Sequence, residues 1–496
     1  MKIKIIKILS PFIIVTLFSC SSSSGGNPEI TQRIDEPAGR NCPNAGSVLL
    51  RGVDRDGDGL LESDNEIEGA TFECNASNWS AEVKVNKLSA NASFQNMLVE
   101  PNGDRIIFYR QIDPQDMNNK DYMDYYTSST DGTVTSIVPY GDAFKKFSMD
   151  MSGHAIAVWP QEENQLGSVW ASRYSKALGW QTPEKIAQSN VTHLTAFSQI
   201  PEVDVVMLDE LDSAIAISKY SAAGGWMVHA NQFTTGGNWL SPESLETITT
   251  YTPSSMPAIA KDPNGNVFAI WARAGRIFVD RYRYLVGWQG AIAIDNSPNG
   301  IPTSDTNISV SRNGIAFAQW SENIFEESEH WGAFYRPGTG WGEAFKININ
   351  AKYIDLPSTF NNNDELLLSW VENDADIWKV WISKLADETS IEHTAIYEYE
   401  TTNRLDQLYN LKIAADNVGN IAVVWPRRNY YWSSFYDADA NVWSRPEVIS
   451  GDGADRQKFT LKMYGNGNAI ICWKQTDLTN INGFIDNIWY RELKIQ

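Results

Sequence analysis

Gly265-Asn266-Val267-Phe268-Ala269-Ile270-Trp271 decides how this chain is read: a turn residue, an apolar run, then Trp. The run returns as Gly153-His154-Ala155-Ile156-Ala157-Val158-Trp159, as Gly314-Ile315-Ala316-Phe317-Ala318-Gln319-Trp320 and as Glu365-Leu366-Leu367-Leu368-Ser369-Trp370. Two more copies end at Trp425 and Trp473, and degenerate ones at Tyr109 and Ser218. The eight end points are spaced by 50, 59, 53, 49, 50, 55 and 48 residues. A fixed period of this length marks a solenoid, a propeller or an array.

Each unit carries four strand-like runs. One precedes the Trp strand, as in Met256-Pro257-Ala258-Ile259-Ala260-Lys261-Asp262. An alternating run follows it, as in Val169-Trp170-Ala171-Ser172-Arg173-Tyr174. A Gly-Trp pair then introduces the fourth, as in Gly179-Trp180-Gln181-Thr182-Pro183-Glu184-Lys185-Ile186, and this recurs at Trp239, Trp288, Trp341 and Trp443. No stretch sustains a helical period. Four strands per period, with turn residues between them, is a propeller blade. The last unit stops after its third strand, near Trp489, and the missing fourth appears at the other end as Asn78-Trp79-Ser80-Ala81-Glu82-Val83-Lys84-Val85. The expected fold is all-β: an eight-bladed β-propeller over residues 78–496, closed by that N-terminal strand. Seven blades is the alternative, because the unit around Ser218 is the most degenerate. The motif set resembles Trp-rich propeller repeats of bacterial surface proteins and, more distantly, lectin-like and sialidase-like propellers.

The N-terminus reads as an address. Lys2, Lys4 and Lys7 precede an apolar run, Ile8 to Phe18, too short for the roughly 20 residues that cross a bilayer. Leu17-Phe18-Ser19-Cys20 follows, then Ser21 to Ser24 and two Gly. This resembles a bacterial lipoprotein signal, and an ordinary secretory signal is the alternative. The resemblance implies cleavage after residue 19, lipidation of Cys20, and anchoring to the outer membrane. Residues 20–40, rich in Ser, Gly and Pro, read as the lipidated Cys and a flexible tether.

Residues 41–75 form a separate unit. Asp54-Arg55-Asp56-Gly57-Asp58-Gly59-Leu60 places oxygen ligands at alternate positions before a Gly, as a calcium loop requires. Asp54, Asp56 and Asp58 are the first ligands, Leu60 offers its carbonyl, and Glu62 and Glu66 complete the set. Asn65 stands where a strict EF-hand has Glu, and Glu66 comes one residue later. The alternative is a solvated acidic turn. The segment resembles a short domain of unknown function in bacterial surface proteins: Cys-Pro-x-Gly-Gly, an Asp-rich loop, and a terminal Cys-Asn. Here Ala45-Gly46 replaces the paired glycines. A unit this small needs a staple, and in an envelope compartment a Cys42–Cys74 disulfide supplies about 3–4 kcal/mol. Cys472, in an apolar run, reads as a buried small hydrophobe.

Composition narrows the partners. Asp and Glu number 61 against 40 Lys and Arg, a net charge of −21. Such a surface repels phosphate backbones, so no nucleic acid is expected. With 19 Trp, 20 Tyr and 19 Phe the chain is no disordered polymer. Four Cys exclude a disulfide-dense scaffold.

The repeated Trp residues belong to blade packing, so function is sought where blades differ. Two residues past the strand-ending aromatic stand Gln111, Gln161, Arg273, Glu322, Glu372, Arg427 and Gln475, and only Tyr220 breaks the set. Equal offsets on equivalent strands predict a polar ring. Either it is a ligand-binding mouth, with Trp378, Tyr430 and Tyr431 as stacking platforms, or it is plain strand-end polarity. No catalytic residue is assigned: the five His are scattered, and Glu322 or Glu372 as a general acid has no motif behind it. The expected protein is a lipid-anchored, monomeric envelope component whose propeller binds a glycan or protein ligand without catalysis. A glycoside hydrolase or lyase on the same scaffold is one alternative, and a structural part of an envelope complex another.

Overall fold

The computed structural model describes residues 29–494, except 37–45, 113–118, 138–144, 190–201, 247–256, 402–407, 478–484 and some stretches of five residues or fewer. Among the described residues every regular element is a β-strand, paired antiparallel with its neighbours.

Strands β1 (Glu29–Glu36), β2 (Gly46–Val53) and β3 (Ile67–Cys74) form a three-stranded sheet in that order. Its small core is Val48, Leu50 and Leu61, with Ile30, Ile34 and Ile67 packed against them. This corrects the tether boundary, because residues 29–36 are a strand of the module. The reason is alternation: Ile30, Gln32 and Ile34 share one face of β1, and the Gln32 carboxamide oxygen accepts the Leu61 N–H at 2.7 Å. Cys42 and the side chain of Cys74 lie outside the described residues, as do residues 1–28 with Cys20.

The rest of the chain builds sheets of one plan. The fourth sheet in order shows it. Its innermost strand is Ala258–Lys261, then Val267–Arg273, then Arg276–Arg283, with the outermost position shared by Gly287–Trp288 and Ile292–Ala293. That outer strand is broken in several sheets. In the second sheet Pro183 lies in the gap between Gly179–Trp180 and Glu184–Gln188, and in the seventh Pro446 sits in the same place. Proline has no N–H to give the ladder, and an outer edge tolerates the interruption. The final sheet joins both ends of the chain. Ala454–Tyr464, Asn468–Asp477 and Ile485–Leu493 are completed by β4 (Val83–Lys84), with Lys84 opposite Trp489 and Trp79 bridged to Leu493.

Among the described residues there are eight such sheets, and successive sheets pack face to face. Phe268 and Ile270 of the fourth lie against Ala316, Ala318 and Trp320 of the fifth. Ile470, Ile488 and Tyr490 of the last lie against Phe94, Met97 and Ile107 of the first, so the series closes on itself. The innermost strands adjoin one another in the same closed order. This is a β-propeller. The repeated Trp159, Trp271, Trp320, Trp425 and Trp473 are among its most deeply buried side chains. Cys472 is buried as expected, and desolvation pushes its thiol pKa well up.

Candidate functional sites: an acidic loop and the axis of the ring

The turn after β2 gathers carboxylates. Val53 donates to the Glu66 carbonyl at 2.9 Å, where β2 and β3 meet at an irregular register. A Cβ on Gly52 would lie 1.8 Å from that carbonyl oxygen, so only glycine permits the approach. The Asp54 carboxylate accepts the Gly57 N–H at 2.7 Å, and Glu66 accepts the Arg55 N–H at 3.2 Å. Carboxylate oxygens of Asp54, Asp56 and Glu66 lie within 4.8 Å of one another, with Asp54 and Glu66 buried and Asp56 exposed. Three anionic oxygen donors so close fit a hard cation such as calcium. Asp58 and Glu62 lie outside the described residues, and Leu60 stands on the same loop.

The polar ring has a different task from the mouth expected of it. On a strand, residues i and i+2 share a face, so each polar side chain lies beside its own aromatic. The indole N–H of Trp473 donates to Gln475 at 3.0 Å, that of Trp320 to Glu322 at 3.2 Å, and that of Trp159 to Gln161 at 3.5 Å. Glu322 is fully buried. Glu372 accepts the indole N–H of Trp381 at 2.9 Å. Gln111 is buried and donates to the Ala90 carbonyl. Arg273 pairs with Glu246 at 3.4 Å. Arg427 donates to the Tyr397 hydroxyl and lies 3.8 Å from the Tyr399 ring centroid. These side chains fasten the sheets. The stacking platforms are corrected as well. Trp378 and Tyr431 are buried in the core, because cross-strand packing takes their rings, while half-buried Tyr430 packs on the cluster that holds Trp378. The Tyr220 side chain lies outside the described residues.

Groups suited to proton transfer are similarly occupied. Burial pushes His229 and His330 down to about 4, which keeps both neutral. Nδ1 of His393 lies 2.8 Å from the Ser383 hydroxyl, which also accepts the Trp370 indole N–H at 2.7 Å. His154 pairs with Asp150 inside one turn. Asp280, a carboxyl group, moves the other way. Desolvation raises it to about 6, although it accepts backbone N–H groups including that of Arg281. Its folded pKa lies above the unfolded one, so its neutral form stabilises the fold in acid, and that stability is lost as pH rises through about 6. Asp280→Asn should therefore raise the melting midpoint near pH 8, a gain in stability on the order of 1–3 kcal/mol, and the gain should vanish towards pH 4. Equal midpoints at both pH values would count against the raised pKa.

A feature absent from the sequence reading is the turn between innermost and second strands. Asp262 accepts the N–H groups of Asn264 and Asn266 at 2.9 Å each, and the Asn266 side-chain amide at 2.7 Å. Asp416 does the same with Val418, Gly419 and Asn420, and also takes the Gly467 N–H from the next sheet's turn at 2.6 Å. The signal was a repeated Asp, Asn or Ser followed by Gly-Asn or a close variant, just before each apolar run. These turns lie at the opposite end of the second strand from the polar ring. Four successive turns line an open cavity of about 260 Å³. Its walls carry Lys261 and Arg312, the turn carboxylates Asp262 and Asp416, and the hydroxyls and amides of Ser311, Thr359, Asn362 and Asn417.

Register shows what lines the axis below that cavity. The innermost residue opposite the position before each aromatic is Asn96, Lys146, Asp204, Asn307, Lys412 or Thr460 in six of the sheets. One step nearer the turns stand Ser148, Ser309, Thr359 and Lys462. Alternate residues such as Phe147, Val205, Ile308 and Leu461 are buried between sheets, whereas these polar ones keep access to water. Several tie one sheet to the next: Ser148 accepts the Met207 N–H at 2.8 Å, and Asp204 accepts the Ile259 N–H at 3.1 Å.

A family described as a domain of unknown function, DUF7151, matches residues 30–74. No curated protein matches the chain. Among solved structures, the polysaccharide lyase Uly1 is 11% identical with a TM-score of 0.44, covering 84% of this chain and 100% of its own. The Dos1 propeller is 9% identical at 0.45, covering 82% and 93%. The β-propeller domain of the Trilobed protease from Pyrococcus furiosus is 6% identical at 0.41, covering 74% and 98%. These likenesses concern fold alone.

Proposed function

We propose that this protein is a lipid-anchored component of a bacterial cell envelope whose eight-bladed propeller binds a polar ligand, a glycan or a protein, without catalysis. The observation that carries the reading is the cavity of about 260 Å³ where the turns of four sheets converge. Amides, hydroxyls, two cations and the turn carboxylates Asp262 and Asp416 line it, a mixed set of donors and acceptors suited to a hydroxyl-rich or polar ligand. The side chains first considered as acids, Glu322 and Glu372, serve tryptophan N–H groups instead. Each four-stranded sheet is one blade. Cys20 carries the anchor after removal of residues 1–19, and the protein acts as a monomer.

The test is glycan-array binding by the full chain in detergent, beside an Asn417→Ala, Thr359→Ala variant. Binding that the variant loses, with no product released from the bound glycan, supports the reading. Binding unchanged in the variant, or turnover of the ligand, overturns it.

The module of residues 29–74 holds calcium through Asp54, Asp56 and Glu66, joined by Asp58, Glu62 and the Leu60 carbonyl. A Cys42–Cys74 disulfide closes it, since Cys74 ends β3 opposite Gly46, four residues after Cys42. Chelation should increase amide exchange within the module and leave the propeller's protection unchanged. Loss of protection in the propeller with none in the module would refute this assignment.

A further inference from the structure

We propose that the axial channel binds a small tetrahedral oxyanion, of the phosphate or sulfate class, between Lys412 and Lys462. The two lysines stand on adjoining innermost strands, Lys412–Ala415 and Ala454–Tyr464. By register Lys412 is four residues below its turn and Lys462 two below its own, so they lie about 13 and 7 Å into the channel at roughly 3.3 Å per residue. Lys412 is half-buried, and Lys462 reaches solvent although protein surrounds it on the channel wall. Because these strands are innermost, the water these side chains meet is that of the channel.

Charge balance singles the pair out. Across the ring Lys146 is answered by Asp204, whose carboxylate feels its attraction. No carboxylate among the described residues lies within ion-pair distance of Lys412 or Lys462. Instead Lys462 feels the like charge of Lys412. Desolvation, and after it repulsion from Lys412, lowers the Lys462 pKa. In a chain of net charge −21, two cations could have been neutralised at almost any site. An unneutralised pair on the channel wall is the arrangement that an anion completes, since charge-assisted contacts to both lysines would offset their repulsion. The Thr460 hydroxyl, at the level of Lys412, is placed to donate as well. Entry is through the turn-lined cavity, whose wall carries Lys261 and Arg312 beside Asp262 and Asp416, so the first excess of positive charge an anion meets is the lysine pair below. The site is separate from the walls that would recognise the larger ligand, so either can fail alone.

The experiment titrates the full chain in detergent with sodium phosphate, and separately with sodium sulfate, against sodium chloride of equal ionic strength, following the melting midpoint. The comparison protein is Lys412→Met, Lys462→Met. In chloride the variant should melt no lower than the parent, because a repulsion has been removed. Phosphate and sulfate should raise the parent's midpoint, with apparent affinity at least roughly tenfold weaker in the variant. A single Lys462→Gln variant should lie between. Equal shifts in parent and double variant would mean that the anion binds elsewhere, and no shift in the parent would mean that the channel takes none. Either overturns the proposal.

Discussion

A chain beginning at residue 90 should aggregate, or melt far below the parent, whereas deletion of residues 29–76 should leave the propeller's melting nearly unchanged. The first truncation removes the outer strand of the last sheet. With β4 goes Trp79, buried and donating its indole N–H to Ser433 of the neighbouring sheet at 3.0 Å. Val85 also goes, buried and bonded to the Ile488 carbonyl at 2.8 Å, as does Asn86, whose side-chain oxygen accepts the Ile488 N–H at 2.8 Å. The Arg491 guanidinium then loses the carbonyls of Ser80 and Trp79. What remains is a three-stranded final sheet with a bare edge, the feature most prone to pair with another chain. Trp79→Ala alone should cost about 3–5 kcal/mol, the usual range for deleting a buried Trp side chain. Calorimetry of both truncations and of this variant separates the cases. Similar midpoints for all of them would show that the ring holds without its clasp.

Asp121→Ala should destabilise the protein by about 3–5 kcal/mol, because it strands a buried cation. The Lys145 ammonium is fully enclosed, pairs with Asp121, and lies 5.4 Å from the Trp159 ring centroid. Asp121 also binds Arg110 and the Gln95 amide, each at 2.8 Å. Those cations hold its carboxyl below the ordinary range against a desolvation that would raise it. Burial already lowers the Lys145 pKa, with Asp121 opposing it. Without Asp121 the lysine is left with desolvation and its repulsion from Arg110. Adding Lys145→Met to Asp121→Ala should restore part of the stability, since a buried methionine needs no counter-ion. Denaturant midpoints for the two singles and the double form the cycle that measures the coupling. Additive losses would show that the pair is not coupled.

Much of the architecture was legible because a strand advertises itself by its side chains. The apolar run before each Trp, the Gly-Trp of the outer strand and the isolated Asn78–Val85 each correspond to pairing seen in the structure. The tether boundary was misread because Ser, Gly and Pro before residue 29 masked a short alternation after it. The polar ring was located by offset but given the wrong task. An offset of two says that Gln475 shares a face with Trp473, and the structure adds that this face looks into the preceding sheet, where Trp473 packs on Tyr431. Trp378 and Tyr431 failed as platforms for a related reason: sequence places them next to loops, and only packing shows which way their rings turn. The axial lysines were beyond reach altogether. Lys412 and Lys462 are 50 residues apart in the sequence. Their meeting depends on the closed order of innermost strands, which no local pattern records.

The strand that joins the two ends of the chain also decides how the molecule bears mechanical load. Tension applied to the N-terminal segment reaches Ser77, hydrogen-bonded to Glu447 at 3.0 Å, before it reaches the Val83–Lys84 ladder. Trp79, wedged between the last two sheets, comes next and acts as a stop. A pull on the N-terminal segment is thus felt at the seam of the ring. Whether the ring stays shut under that pull rests on one indole and a single short strand with the bonds that flank it, from Ser80 to Asn86.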